Sequence, residues 1–123
     1  ILDQKMSVGD FHSCGIRPNG KIKCWGSNHY GQIDSRSENF VSVSSGDSHT
    51  CGIQVDGSVN CWGKDIYGQS TPPDHTFVSI SAGGNHSCGI RLDGKIECWG
   101  FDDFGQSSPP ESIFVNIKIY RKI

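Results

Sequence analysis

Six cysteines and three evenly placed histidines are the residues with the most chemistry to offer. Cys14 and Cys24, Cys51 and Cys61, and Cys88 and Cys98 form three C-x9-C pairs. His12, His49 and His86 each stand two residues before the first Cys of a pair. Thiols and imidazole so placed suggest a zinc site, a Cys–His nucleophile or a disulfide. Structural zinc sites use close C-x2-C spacing, which C-x9-C lacks. A nucleophilic site occurs once and needs a third group to orient the base, whereas this arrangement occurs three times. No metal or cofactor is expected, and disulfides remain the favoured chemistry. Asp102-Asp103 occurs once and reads as a solvated turn more readily than as an acidic ligand pair. Asn85-His86-Ser87 is an N-x-S triplet, a possible N-glycan acceptor left open.

The elements that must hold these residues are repeats. The cysteines, the histidines, Trp25, Trp62 and Trp99, and Gln32, Gln69 and Gln106 all recur at a step of 37 residues. Fifteen of the sixteen Gly fall on five repeating positions, Gly84 being the extra one. Within a unit, Cys14-Gly15-Ile16-Arg17 and Lys21-Ile22-Lys23-Cys24 flank Pro18-Asn19-Gly20, a three-residue hairpin loop whose Gly supplies positive φ. That register opposes Ile16 to Ile22, Gly15 to Lys23 and Cys14 to Cys24. Alternation then puts His12, Cys14, Ile16, Ile22 and Cys24 on one face, and Arg17, Lys21, Lys23 and Trp25 on the other. Gly26 would face His12 and leave room for its ring, and Gly15 would do the same for the Trp25 indole. Opposed residues on antiparallel strands lie about 4.5 to 5.5 Å apart, within reach of a disulfide. Of fifteen connectivities open to six cysteines, the register selects Cys14–Cys24, Cys51–Cys61 and Cys88–Cys98.

Phe40 to Ser44 and its equivalents supply a third strand, and a short fourth is expected after the aromatic-Gly-Gln steps at Tyr30, Tyr67 and Phe104. Short antiparallel strands with aromatic and glycine markers are the signature of propeller blades. The expected fold is therefore all-β: three tandem 37-residue propeller-blade repeats in an open arc, or part of a ring completed by oligomerisation. By period the units run 9–45, 46–82 and 83–113, with a partial strand at 1–8 and the strand of an incomplete fourth unit at 114–123. The tryptophans, each beside a Gly, are expected to pack between blades rather than to stack on sugar.

Composition narrows the function classes. Ala is scarce, which disfavours helical architectures. Thirteen acidic against eleven basic residues leave a net charge of -2, so no nucleic-acid partner is expected. Apolar runs are too short to span a membrane, and no membrane insertion is expected. The chain starts at Ile1, and targeting cannot be read from it. Three disulfides imply an oxidising, extracellular or cell-surface location.

The motifs Gly46, His49, Cys51-Gly52-Ile53, Asp56-Gly57, Trp62-Gly63 and Tyr67-Gly68-Gln69, with their counterparts on either side, resemble the repeats of the regulator of chromosome condensation family. Members of that family build seven-bladed propellers. The paired-cysteine form is similar to secreted bacterial and protist versions and to the ectodomain repeats of crinkly-type plant receptor kinases. The resemblance implies that the three His hold a blade strand or loop by hydrogen bonds. Three features depart from the founding family: three repeats, a compact unit, and the cysteines.

Three repeats leave end faces bare, since repeat units draw stability from their neighbours. A piece of a longer propeller, a ring closed by two copies, and an open helical polymer all remain consistent. Phe114, Val115, Ile117 and Ile119 alternate along an apolar strand with no hairpin after it, the expected assembly strand. The favoured function is a non-catalytic extracellular structural or adhesive module that assembles with copies of itself. The alternative is a ligand-recognition propeller, a lectin or protein inhibitor that binds a glycan or an extracellular protein. It would use positions where the repeats differ: Phe11, His29, Lys64, Ile66, Phe101, Asp102 and Asp103. Guanine-nucleotide exchange on a Ran-like GTPase, which the resemblance would imply, is remote for a disulfide-bearing extracellular protein.

Overall fold

The computed structural model describes residues 5–111. They form nine strands in three antiparallel sheets, each of three strands in sequence order. The first contains β1 (Met6–Val8), β2 (His12–Ile16) and β3 (Ile22–Gly26). The second contains β4 (Phe40–Ser45), β5 (His49–Gln54) and β6 (Val59–Gly63), and the third β7 (Phe77–Ala82), β8 (His86–Arg91) and β9 (Ile96–Gly100). We call these sheets blades 1, 2 and 3.

The hairpin register is the one that the loop dictates. Ile16 opposes Ile22, Gly15 opposes Lys23, Cys14 opposes Cys24 and His12 opposes Gly26, with the same pairing in the other two blades. Gly20, Gly57 and Gly94 close the loops at φ of 85°, 89° and 89°. Arg17 N donates to Lys21 O and Gly20 N to Arg17 O, which fixes the tight return. At Gly57 a Cβ would also lie 2.5 Å from the Thr76 methyl. Gly57→Val should therefore lower the thermal midpoint, by about 2 kcal/mol of stability. An unchanged midpoint would contradict this loop geometry.

Three expectations are corrected. First, Phe40–Ser45 belongs to the hairpin that follows it, not to the one before: β4 pairs with β5, as β1 does with β2 and β7 with β8. A strand joined to β5 by a tight turn pairs more readily than one that must return across a long connection. Second, no fourth strand forms among the described residues. The backbone after Tyr30, Tyr67 and Phe104 turns instead, because Gln32, Gln69 and Gln106 each accept the amide two residues upstream through the side-chain Oε1. Third, Gly52 and Gly89 make room for the Phe40 and Phe77 rings of the leading strands, not for the indoles. Gly26 likewise permits approach of the Phe11 and His12 backbone rather than of a ring.

Each blade presents one face to the next. Cys14, Ile22 and Cys24 of blade 1 pack with Phe40, Val43 and Trp62 of blade 2. Cys51 and Ile53 of blade 2 pack with Phe77, Ile80 and Trp99 of blade 3. The leading strands also touch in succession: Ser45 N donates to Ser7 Oγ, and Ala82 N to Ser44 Oγ. The core is thus two copies of one joint, with no centre inside any single blade.

Candidate functional site: the blade-to-blade joint

The cysteines are bonded as expected, Cys14 to Cys24, Cys51 to Cys61 and Cys88 to Cys98, with Cα atoms 4.0 to 4.1 Å apart. Both sulfurs of each pair are consumed, so neither thiolate ligation nor a thiol nucleophile is open to them. Each bridge ties the two strands of a hairpin, and the first two sit on the face that meets the next blade.

Around the first two bridges polar side chains form a hydrogen-bonded relay, which leaves the His12 and His49 Nδ1 and the Gln32 and Gln69 Nε2 buried without a protein partner. Thr50 Oγ1 donates to the backbone carbonyl of Gln32 at 2.8 Å, so its proton is committed. The 2.7 Å contact between His12 Nε2 and Thr50 Oγ1 must then have His12 as donor, which fixes the Nε2-protonated tautomer. Trp62 Nε1 donates to the same Gln32 carbonyl at 3.1 Å. The second joint repeats this atom for atom. His49 Nε2 donates to Ser87 Oγ at 2.8 Å, while Ser87 Oγ (3.2 Å) and Trp99 Nε1 (3.0 Å) donate to the Gln69 carbonyl. The joint is thus His and Gln of one blade against Ser or Thr and Trp of the next. His12 and His49 act by hydrogen bonding, as the resemblance implied. The glutamines and the Ser or Thr were missed as joint residues. Their signal was the 37-residue step of Gln32, Gln69 and Gln106, but nothing in sequence tells a carbonyl hub from a turn residue.

Burial shapes the titration of this relay. His49 is wholly buried, which pushes its pKa down to about 4 from 6.5, and the charges of His12 and His86 act in the same direction. Burial also lowers His12. A buried neutral imidazole favours the fold wherever the unfolded chain would be neutral too, so this stability is complete above about pH 6.5. It is lost as pH falls from there toward 4, because the unfolded chain then binds the proton more readily. A tenfold difference in proton affinity between the folded and unfolded chain is worth about 1.4 kcal/mol. Denaturant unfolding should therefore show a loss of about 2 to 3 kcal/mol from His49 between pH 7 and pH 4.5. His49→Gln should flatten that dependence, and a wild-type midpoint constant across the range would refute it.

The other candidate residues lie apart from the joint. Lys64 Nζ sits between the rings of Tyr30 (5.4 Å) and Tyr67 (5.8 Å). Phe101 packs on Tyr67 at 4.8 Å and on Phe104 at 6.1 Å, and the His29 ring lies 6.3 Å from Tyr30. His29, Lys64 and Phe101 therefore join one aromatic row over the turn loops, while Phe11 and Ile66 are exposed side chains outside its ring contacts. Asp102 is turned inward on its own loop. It accepts from the Ser108 hydroxyl and from Ser107 N, and these bonds hold its carboxyl below the usual range. Asp103 remains in solvent. Asn85 is half-buried, and the Ser87 of its triplet is wholly buried in the second joint. Phe114, Val115, Ile117 and Ile119 lie outside the described residues. The edge of β2 that takes a leading strand is occupied by Met6–Val8 of the same chain.

Disulfide-stapled three-stranded blades, stacked through a repeated Trp–Gln–His joint, define a β-propeller repeat protein. The sequence profile of the regulator of chromosome condensation (RCC1) repeat matches residues 4–32, 40–69 and 77–106, and the chain belongs to that family. Among solved structures it is similar to the CRINKLY WD40 ectodomain of the Arabidopsis thaliana receptor kinase ACR4, with 28% identity over 89% of this chain and 39% of that one, at a TM-score of 0.72. The entire ectodomain of the Physcomitrella patens receptor kinase CR4 is 34% identical over 79% of this chain and 29% of that one, at 0.70. Yeast RCC1 (Prp20), solved with Kap60, shares the fold at 17% identity over 92% of this chain and 37% of that one, with a TM-score of 0.70. The chain thus spans well under half the length of each of these structures. No curated protein sequence matches it.

Proposed function

We propose that this chain is a non-catalytic extracellular propeller module that assembles with copies of itself. The observation that carries this reading is the contrast between inner and outer faces. Trp62 and Trp99 are buried in joints at 6% and 8% exposure, whereas Trp25 at the same position of blade 1 is 52% exposed. Met6 and Val8 beside it are 62% and 69% exposed. An apolar sheet face of this kind calls for a partner. Three bridges suit an oxidising compartment, and the two similar receptor ectodomains support the extracellular placement. In the two inner joints the Trp indole, the Ser or Thr hydroxyl and the histidine Nε2 are spent on holding blades, which favours a structural role over catalysis. Light scattering of the full chain, with electron microscopy of the same sample, tests the reading. Rings or filaments are expected, and a monomer at all concentrations would overturn it.

A second reading has its own observation. The Tyr30–Lys64–Tyr67–Phe101–Phe104 row is an exposed aromatic platform with a cation in it, a surface suited to a glycan or an extracellular protein. Glycan-array binding that is lost in Tyr67→Ala but kept in Trp25→Ala would favour it.

A further inference from the structure

The aromatic row over the turn loops is exposed in the middle of the chain as well as at its ends. Blade 2 has a blade on each side, yet its Ile66 and Tyr67 are 71% and 44% exposed, and Tyr30 beside them is 46% exposed. Exposed aromatic side chains grouped in this way mark an interaction surface. The charge around them specifies the kind of partner. Ser27 N donates to Phe11 O, Lys64 N to Ser48 O and Phe101 N to Asn85 O. The turns before β2, β5 and β8 and the loops after β3, β6 and β9 therefore share one end of the blades. Those segments carry Asp10, Asp34, Asp47, Asp65, Asp102 and Asp103, and Lys64 is their one Lys or Arg. The cations Arg17, Lys21, Arg91 and Lys95 sit instead on the hairpin loops at the opposite end.

Lys64 shows what this surface holds. Its Nζ lies over the Tyr30 and Tyr67 rings, and its charge acts on the Asp47 carboxyl. The Asp47 pKa is raised, first by burial and then by the Asp10 carboxyl within hydrogen-bond reach of it. Two carboxyl groups from adjacent blades are thus held together with a single cation to offset them. An Arg side chain suits what is left over, since a guanidinium stacks on aromatic faces and takes carboxylates in paired hydrogen bonds. A neutral glycan would gain nothing from so one-sided a charge, and an acidic one would be repelled. We infer that this end of the blades docks a basic segment of another extracellular protein, whose Arg or Lys side chains lie on the Tyr30, Tyr67 and Phe101 rings and pair with Asp47 and Asp10. The inference rests on the second reading above and names the chemistry of its partner.

The probe is a fluorescein-labelled peptide of alternating Arg and Gly, titrated onto the full chain by fluorescence anisotropy, with a Glu and Gly peptide of equal length as control. The Arg peptide should bind and the Glu peptide should not. Tyr67→Ala should weaken binding about three- to tenfold, and Asp47→Asn about threefold. Lys64→Ala, which clears the rings and removes a like charge, should strengthen it about threefold. Asp56→Asn makes the same change of charge on a hairpin loop at the opposite end and should leave binding as it is. All four positions are at least partly exposed, and unchanged disulfide maps and circular dichroism serve as the folding control. No binding of the Arg peptide, equal binding of the Glu peptide, or no loss in Tyr67→Ala overturns the inference. Equal losses in Asp47→Asn and Asp56→Asn overturn it too, since net charge alone would then be at work. A glycan that binds through Tyr67 while the Arg peptide does not overturns the inference and leaves the second reading standing. If neither peptide nor glycan binds, the second reading falls with it.

Discussion

Replacing Cys51 and Cys61 together by alanine should cost about 3 kcal/mol from the unfolded chain alone, the loss expected for opening a loop of this length on the chain-entropy model. The folded state adds to that figure. Cys51 is wholly buried and packs with Ile53, Phe77, Ile80 and Trp99 in the second joint. Removing its sulfur leaves a gap beside a ring that cannot follow. The three bridges have identical spacing, with a sequence separation of 10 in each, so the entropic part is common to all of them. What differs is packing. Cys14 is as buried as Cys51, while Cys88 and Cys98 stand half-buried on the outer face of blade 3. Denaturant unfolding of the three double-alanine variants should therefore rank Cys88/Cys98 as the mildest, by about 1 to 2 kcal/mol. Equal losses for all three would show that the joints draw nothing from the sulfurs and that the bridges act only on the unfolded chain.

Gly63→Ala should be comparably severe, for a reason located in the backbone. Gly63 has φ of 113°, a conformation costly for any residue with a Cβ. A Cβ there would lie 2.6 Å from Ser48 O and 2.9 Å from His49 Cα, both main-chain atoms of the neighbouring strand. Neither can retreat without breaking the ladder of β5 and β6 or the bond from Lys64 N to Ser48 O. The expected loss is about 3 kcal/mol or more. Gly68→Ala is the matched control. Its φ is 81°, yet nothing lies within 4 Å of the position a Cβ would take. Strain without crowding should cost about 1 to 2 kcal/mol there. Thermal unfolding of the two variants side by side separates the terms, and equal midpoints would mean that β5 and β6 are not packed this closely.

Within a blade, nearly everything that mattered was local and therefore legible. The loop Pro18-Asn19-Gly20 with its flanking alternation determines that Cys14 faces Cys24, and copies of that string determine the other two bridges. The reason is physical: a hairpin register is set by a turn of three residues, and a slip by one would turn His12, Cys14 and Ile22 to the wrong face. Between blades the sequence offered types but no partners. It placed Trp62 and Trp99 in joints, yet gave no sign that their indoles bond to Gln32 and Gln69 carbonyls, or that Thr50 and Ser87 fix the histidine tautomer. Those bonds join groups 18 to 38 residues apart, and a Ser that seals a joint is spelled the same as a Ser in solvent. The grouping of Phe40–Ser45 with the following hairpin, and the turn where a fourth strand was expected, were also tertiary decisions. Gln32 Oε1 capturing the Tyr30 amide ends the strand pattern there, and no local alternation can report a side chain folding back on its own loop. Most consequential is Trp25. By sequence it equals Trp62 and Trp99, and only the tertiary structure distinguishes it, exposed on blade 1 while they are buried in joints.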